Sequence, residues 1–511
     1  MGLLFFPRGG SAQVTKYLAV ALGDAGWSVP LVVGSLGVQG EETHAPTFFA
    51  GAEVHHLDYT DAVAAFEAGG SAIAAPIPMH PSYEDRVGAP DVVLTAVDPA
   101  LTGHLADAWD APLAAAGADR ADVLHLHHLT PQHDAARRRW PHVPLVAHLH
   151  GTEIKLIEAA EQRASVASRL GETLASMPEA LADGRLPAEV LDDDGLELLR
   201  TTRWSQWRHG EHWLAHLRHQ ASAADHLVVV SPPDRATAMA VLGVESERVT
   251  DVPNGVEVDR FRPRSRDADE RRARFRHWLV EDPQGWDETS VAGSVRYGEA
   301  DLDRLLGADG DTTVLLYVGR FTEAKRVPLL IRAFALAERA AQRPASLVVW
   351  GGHPGEWEGE HPVAVAQDTA ADGVYFAGWR GHEDLPDGLA ACDAVVMPSV
   401  NDSYPQTPLE AMAVGLPVLA TLSGGFPSMI NLDPSRPTGW LVPPDDLDAL
   451  VAALVEVIDH PQEVRRRGEA ALAHARAELS WAGRVAGFEH AYAAAADRHA
   501  RSAAEGRSTR P

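Results

Sequence analysis

Short apolar runs bounded by Gly, Pro and Ser alternate along this chain with longer stretches whose apolar residues recur at i, i+3 and i+4. The runs LLFF (3–6), VPLVVG (29–34), DVLHLH (122–127), PLVAHLH (144–150) and HLVVVS (226–231) have the length of strands buried on both faces. AQVTKYLAVALGDAG, between the first two, has the helical period. Strand, helix, strand in this rhythm predicts parallel sheets. After PNGVEVDRFRP (253–263) comes a charged segment of low apolarity, to about 310, predicted to be a connection or surface insertion. The rhythm then restarts with TVLLYVG, VPLLIRAFALAERAA, SLVVWGG, GVYFAGW, AVVMPS, LEAMAVG, LPVLAT and GWLVPP.

The pattern predicts an α/β chain of two Rossmann-like, doubly wound domains facing an interdomain cleft, the first over 1–260 and the second over 261–475, with the linker or insertion at 264–310. A tryptophan-bearing stretch at 155–220 breaks the simple rhythm and reads as a helical insertion in the first domain. Residues 476–511 read as a C-terminal helix returning to the first domain. They end in RSAAEGRSTRP, expected to be mobile because its small and charged residues bury little.

Composition narrows the function classes. A chain of 511 residues, 45% hydrophobic, has apolar material for two or three domains at roughly 150 residues each. Its net charge of -28 repels nucleic-acid phosphates and anionic lipid headgroups, so neither nucleic acid nor a membrane surface is an expected partner. No apolar run approaches the roughly 20 residues that cross a bilayer, and MGLLFFPRGG lacks the features of a signal peptide, so the chain reads as cytoplasmic. The single cysteine, Cys392, sits in ACDAVVMPS as a buried small hydrophobe. Lys16, Lys155 and Lys325 are the only lysines, so a lysine can mark a place needing a compact ammonium instead of the arginine used everywhere else, with chance the alternative for Lys16 and Lys155.

Candidate chemistry gathers at strand ends, where helix N-termini attract anions. PRGGSAQ runs from the first strand into a helix, and Gly9 and Gly10 allow a ligand close to the backbone beside Ser11. LLYVGRFTEAKRVPLL delivers Arg320 and, five residues on, Lys325 to one loop, a fork and a point charge suited to a leaving diphosphate. NDSYPQTPLEAMAVG places Asp402 and Glu410 eight apart around a loop that leads into a helix. Two readings compete there: a capping box with Thr407 as N-cap, Pro408 first in the helix and Glu410 as its partner, or a carboxylate accepting vicinal ribose hydroxyls beside the amides of Ser403 to Gln406. His150 ends a strand in AHLHGTE, where an active-site role is favoured over a core histidine. PMHPSYEDR offers Tyr83, Glu84 and Arg86 to a small polar acceptor, with a surface turn as the alternative. His209, His212, His216 and His219 share a helical face, but the reading preferred for them, and for Asp192 to Asp194, is non-metal.

Together PRGGSAQ, AHLHGTE (147–153), VPNGVEVDRFRP, YVGRFTEAKR and DSYPQTPLE resemble, in this order and over nearly the whole chain, the retaining glycosyltransferases of family 4, with their two-Rossmann GT-B architecture. The resemblance implies a nucleotide-diphosphate sugar donor, with UDP or GDP, a small soluble acceptor, no cofactor and no catalytic metal. It implies that Arg320 and Lys325 bind the donor diphosphate, and that Gly10 and Ser11 lie near it. Glu410 would hold the ribose, Trp379 and Arg380 of GWRGH would lie against the base, and Asp402, Ser403, Tyr404, Pro405 and Gln406 would line sugar and phosphates. His150 would lie by the transferred sugar, and Glu153 on the acceptor side with Tyr83, Glu84 and Arg86. Asp402, Tyr404 and Pro405 stand where the family usually has Glu, an aromatic and Gly. An epimerase, hydrolase or phosphorylase of the same fold, or a nucleotide-sugar binder without turnover, are the alternatives.

Overall fold

The computed structural model describes residues 1–4, 10–86, 88–184, 186–307 and 311–508. The chain forms two compact units. Unit 1 takes residues up to Pro253 and the helical segment from Val485 onward, and unit 2 takes Asn254–Arg484.

Among the described residues, unit 1 carries a seven-stranded parallel sheet: β1 Gly2–Leu3, β2 Leu31–Ser35, β3 Val54–Asp58, β4 Leu124–His127, β5 Leu145–Leu149, β6 His226–Val229 and β7 Val249–Asp251. Their spatial order is β3-β2-β1-β4-β5-β6-β7. The expected first strand is described only as far as Leu4, because Phe5 and Phe6 lie outside the described residues. The side chains of β4 and β5 are buried throughout, as expected for inner strands of a parallel sheet, although β4 (LHLH) alternates leucine with histidine and only β5 (LVAHL) is mostly apolar. The stretch at 155–220 is helical: Thr152–Arg169, Met177–Ala182, Asp193–Thr201 and Gly210–Ala223 form the crossover between β5 and β6.

Unit 2 has a six-stranded parallel sheet of β8 Thr313–Val318, β9 Ala345–Trp350, β10 Val374–Gly378, β11 Ala394–Met397, β12 Val418–Thr421 and β13 Gly439–Val442. Its order is β10-β9-β8-β11-β12-β13. Both orders place β-strand carboxyl ends, loops and helix starts on one edge of each sheet, which is where ligands bind in open parallel sheets.

Of the two readings for the charged segment 264–310, a connection or an insertion, the structure has a packed insertion: helix Ala268–Arg276, a wide turn His277–Glu281 and helix Glu299–Leu306 pack within unit 2 through buried Phe275, Trp278, Leu279, Trp286, Leu302 and Leu305. The Trp286 ring N–H donates to the Gly352 carbonyl at 2.8 Å, and Arg266 and Arg271 reach Asp393 at 2.8 and 3.0 Å. Burying one such aromatic is worth about 2–3 kcal/mol, against about 1 kcal/mol or less for an exposed ion pair such as Arg266–Asp393; the Arg271–Asp393 pair is part-buried. The aromatic anchors therefore hold the segment, and the arginine–acid pairs fix its register. In the tail, residues 501–508 continue the helix Trp481–Ser508, because alanine and charged long-chain residues favour helix even where they bury little, and residues 509–511 lie outside the described residues. Among the described residues, no helix is long and apolar enough to cross a membrane.

Candidate functional site

In unit 2 the strand β8 ends in a turn fixed by the Tyr317 hydroxyl, which donates to the Arg320 carbonyl at 2.8 Å. Arg320 itself is exposed. A tight turn at Glu323–Lys325 follows, then Arg326 in the left-handed region (φ 54°), which redirects the chain into helix Val327–Ala340. That turn presents Lys325 to Asp402. The ammonium donates to both carboxylate oxygens, at 2.7 and 2.8 Å, with both side chains only 16% exposed.

Asp402 is held by its backbone. The Gly425 N–H donates to the Asp402 carbonyl at 2.8 Å. A Cβ at Gly424 would lie 2.0 Å from the Asp402 carbonyl oxygen, and one at Gly425 would lie 2.0 Å from that of Ser403, so two glycines are required for this approach. The Asn254 amide donates to the Tyr404 carbonyl at 2.9 Å, and the Tyr404 ring is buried in unit 2. Sequence reasoning missed Gly424, Gly425 and Asn254. The SGG triplet after a strand was the available signal for the glycines, and nothing local pointed to Asn254.

The loop feeds the helix Gln406–Val414, whose N-cap is Pro405 and whose start has no side-chain cap. The capping-box reading thus fails: Thr407 and Pro408 lie inside the helix, and proline at the N-cap has no N–H to receive Glu410. At this uncapped end the Ser403 hydroxyl and the Gln406 amide nitrogen are buried without a hydrogen-bond partner among the described residues. An ammonium, two unspent side-chain groups and free helix N–H groups are the ingredients of an anion site. Within the same helix Glu410 is 2% exposed, with the His382 ring 3.5 Å away. Burial pushes its carboxyl up to about 8, opposed only by Arg260.

Trp379 is 51% exposed and offers a flat face. Its neighbour Arg380 does not lie free against a base: the guanidinium is 8% exposed and donates to Asp282 at 3.0 Å and to the Trp278 carbonyl at 2.8 Å, clamping the 264–310 segment. Cys392 is buried and burial raises its thiol to about 12, so it is inert.

In unit 1, Gly10 opens the helix Gly10–Asp24 with no atom of the described residues within 4 Å of where a Cβ would sit, and Ser11 is buried behind it. Gly9 lies outside the described residues. His150 is half-buried just beyond β5, with Nε2 2.8 Å from His127 Nδ1. Gly151 (φ 89°) turns the chain so that the Glu153 carboxylate accepts from the His150 main-chain N–H at 3.3 Å. Glu153 is fully buried against His128 (3.3 Å) and Thr152 (3.1 Å). Burial alone would raise its carboxyl, but the His128 charge and these hydrogen bonds hold it below its ordinary range. It therefore supports His150 from behind.

Two further acceptor-side expectations are corrected. The Tyr83 ring is buried and its hydroxyl donates to the Leu129 carbonyl, while Arg86 pairs with buried Asp91, so both build the wall of this region. Glu84 stays half-buried in the turn, its N–H on the Ser82 hydroxyl at 3.1 Å. Of the helical histidines, His216 pairs with Asp134 at 3.0 Å and stacks on His212. Asp192 is an N-cap, accepting from the Gly195 N–H at 2.9 Å and pairing with Arg169.

A second histidine group was visible only as the alternation in HLHH and AHLH. The register pairs His127 with His148, so His125, His127, His148 and His150 share one face of β4 and β5 and its edge. His125 Nδ1 lies 2.7 Å from the Tyr492 hydroxyl and its Nε2 lies 3.1 Å from His148 Nδ1.

Comparison with known proteins follows the same division. Residues 8–260 match the profile described as Glycosyltransferase Family 4, and residues 300–474 match Glycosyl transferases group 1. A D-inositol 3-phosphate glycosyltransferase of Streptomyces griseus is 31% identical over 289 residues, which cover 55% of this chain and 56% of that protein. The chain thus spans little more than half the length of the curated relatives it matches. Among solved structures, a sucrose-phosphate synthase from Thermosynechococcus elongatus superposes with a TM-score of 0.58 at 20% identity, covering 95% of this chain and 93% of that one. Anabaena HepE in complex with UDP and glucose gives 0.54 at 14%, covering 96% and 97%. Both share the two-sheet fold over nearly their whole length.

Proposed function

The chain belongs to glycosyltransferase family 4, and from that premise we propose that it is a cytoplasmic, retaining glycosyltransferase moving a sugar from a nucleotide-diphosphate donor to a small soluble acceptor. The observation that carries the reading is the uncapped start of Gln406–Val414, with Lys325 beside it and the Ser403 and Gln406 groups unspent. A diphosphate bound there meets a cation, helix N–H groups and two hydrogen-bonding side chains, all fixed before the substrate arrives. Glu410 accepts ribose hydroxyls, Trp379 takes the base of UDP or GDP, and Asp402 orients the sugar. The family resemblance implies that His150 lies by the transferred sugar. The acceptor named for the Streptomyces griseus relative, D-inositol 3-phosphate, is of this small polar class.

In the chemical step the sugar's anomeric bond to the diphosphate breaks as the acceptor hydroxyl attacks from the same face. A donor phosphate oxygen takes the hydroxyl proton. Lys325 and Arg320 stabilise the charge growing on the departing diphosphate, a task that other sugar transferases give to a metal ion on an Asp-x-Asp pair. Added Mg2+ or Mn2+ should therefore leave the turnover of chelator-treated protein unchanged. A strict requirement for either ion would overturn this part of the reading.

One observation favours a second reading, a nucleotide-sugar binder without turnover: Asp402 holds Lys325 with both oxygens. Two measurements separate them. A melting panel with UDP, GDP, ADP and TDP identifies the base, since a ligand at 100 times its Kd stabilises by about 2.7 kcal/mol. Incubation of the matching nucleotide sugars with small polyol and sugar acceptors then yields a glycoside under the first reading and unchanged donor under the second.

A further inference from the structure

We propose that His125, His127 and His148 bind one divalent transition-metal ion, Zn2+ by preference, inside unit 1. Among the described residues these three form the grouping that can hold a metal, offering one ligand atom each within 4.8 Å of one another. They are 3%, 0% and 0% exposed. The site stands on two paired inner strands, so its ligands are placed by the sheet register and not by a loop.

The present partners of these rings are consistent with such a site. His125 Nε2 and His148 Nδ1 already stand 3.1 Å apart, close to the roughly 3.3 Å between two ligands of a tetrahedral zinc at 2.0–2.1 Å. His127 brings a third nitrogen, Nε2, which is buried and bonds to nothing among the described residues. His148 Nε2 is likewise unpartnered, so a half-turn of that ring offers its other nitrogen. Leaving two buried ring nitrogens unpaired at one place costs about 1–3 kcal/mol each, and a metal ion removes that cost wherever it takes a lone pair. The far nitrogens are supported: the Tyr492 hydroxyl lies 2.7 Å from His125 Nδ1 and His150 Nε2 lies 2.8 Å from His127 Nδ1. Such outer partners orient metal-binding imidazoles.

The chemistry of the set selects the ion. Three imidazoles without a thiolate suit zinc, copper, nickel or cobalt and reject Mg2+ and Ca2+, which need oxygen. The ionised, buried Glu153 lies behind His150 and offsets part of the positive charge. A water molecule completes the coordination. Because this site lies in the unit 1 sheet, its occupancy is independent of whether the donor diphosphate uses a metal.

Untagged full-length protein, stripped with chelator and titrated with ZnCl2 by calorimetry, should take up one equivalent and melt at a higher temperature. Co2+ in place of Zn2+ should give visible ligand-field bands of a nitrogen-bound, low-coordinate ion. His127→Gln and His148→Gln should each weaken binding by about 100-fold or more, whereas His212→Ala with His216→Ala should leave it unchanged. Tyr492→Phe keeps all three ligands and should weaken binding by about 10-fold, which guards against misfolding in the ligand variants. Absence of saturable Zn2+ binding, stoichiometric binding that survives both ligand substitutions, or binding lost only with His212 and His216 would each overturn the proposal.

Discussion

Glu410 shows how one side chain couples the site to pH. Its carboxyl titrates near 8 in the folded protein against an ordinary 4.5, because burial disfavours the charged form. The folded state therefore holds a proton that the unfolded state releases between about 4.5 and 8, and stability contributed by this group falls as pH rises through that window. Melting temperatures of wild type and Glu410→Gln should converge near pH 4, with the variant gaining on wild type toward pH 9. Parallel curves would remove Glu410 as the titrating group. Since ribose hydroxyls donate best to the ionised carboxylate, nucleotide affinity should rise from pH 7 to 9 in wild type and stay flat in the variant. Lys325 gives a second test at this scale. Lys325→Ala should fold and lose turnover by about 100-fold or more, and near-normal rates would dismiss its role at the leaving group. Residue chemistry of this kind was legible where a rare residue type met a strand end, as at Lys325. It was illegible for Arg380, whose partner Asp282 lies 98 positions away, and for Arg86, whose ion pair depends on how a loop folds back on itself.

Loops and segments obey a different logic, in which backbone approach decides what side chains can do. The contact of Gly424 and Gly425 with the Asp402–Ser403 backbone leaves no room for a methyl group. Gly425→Ala should displace that loop and remove the melting shift produced by the matching nucleotide. Gly10→Ala, with nothing among the described residues within 4 Å of its Cβ position, should leave the fold and melting temperature as they are. An unchanged nucleotide shift in Gly425→Ala would mean that the loop does not form the donor site. The strand rhythm was readable because parallel strands are continuous apolar runs. The 264–310 segment was not, because Phe275, Trp278, Trp286 and Leu302 are scattered among arginines and acids and show no period. Trp286→Ala should cost about 3–5 kcal/mol in a urea melt, a loss that a true linker would not show.

At the scale of the molecule, charge and chain path matter more than any single contact. With a net charge of -28, the protein should remain in the supernatant when sedimented with anionic vesicles. Salt-sensitive pelleting would instead indicate a lipid-linked acceptor. The chain crosses from unit 1 to unit 2 after Pro253 and returns after Arg484, so the terminal helix Trp481–Ser508 belongs to both. Its Phe488 and Tyr492 cover the histidine face of β4 and β5, a relation between residues more than 360 positions apart that no local pattern announces.

In the proposed donor site, the grip of Asp402 on Lys325 would turn donor recognition into a matter of counting hydrogens. An ammonium has three N–H bonds, and two of them already point at the Asp402 oxygens. A phosphate that enters beside them finds one hydrogen unclaimed. As negative charge accumulates on the departing group, the ammonium can follow it only by loosening from its carboxylate. The Ser403 hydroxyl, the Gln406 amide and the exposed guanidinium of Arg320 must supply the remaining hydrogens. Under the proposed reading, the energy that Lys325 would give to the reaction is the difference between two carboxylate bonds kept and two exchanged, and lengthening or neutralising residue 402 should reset it.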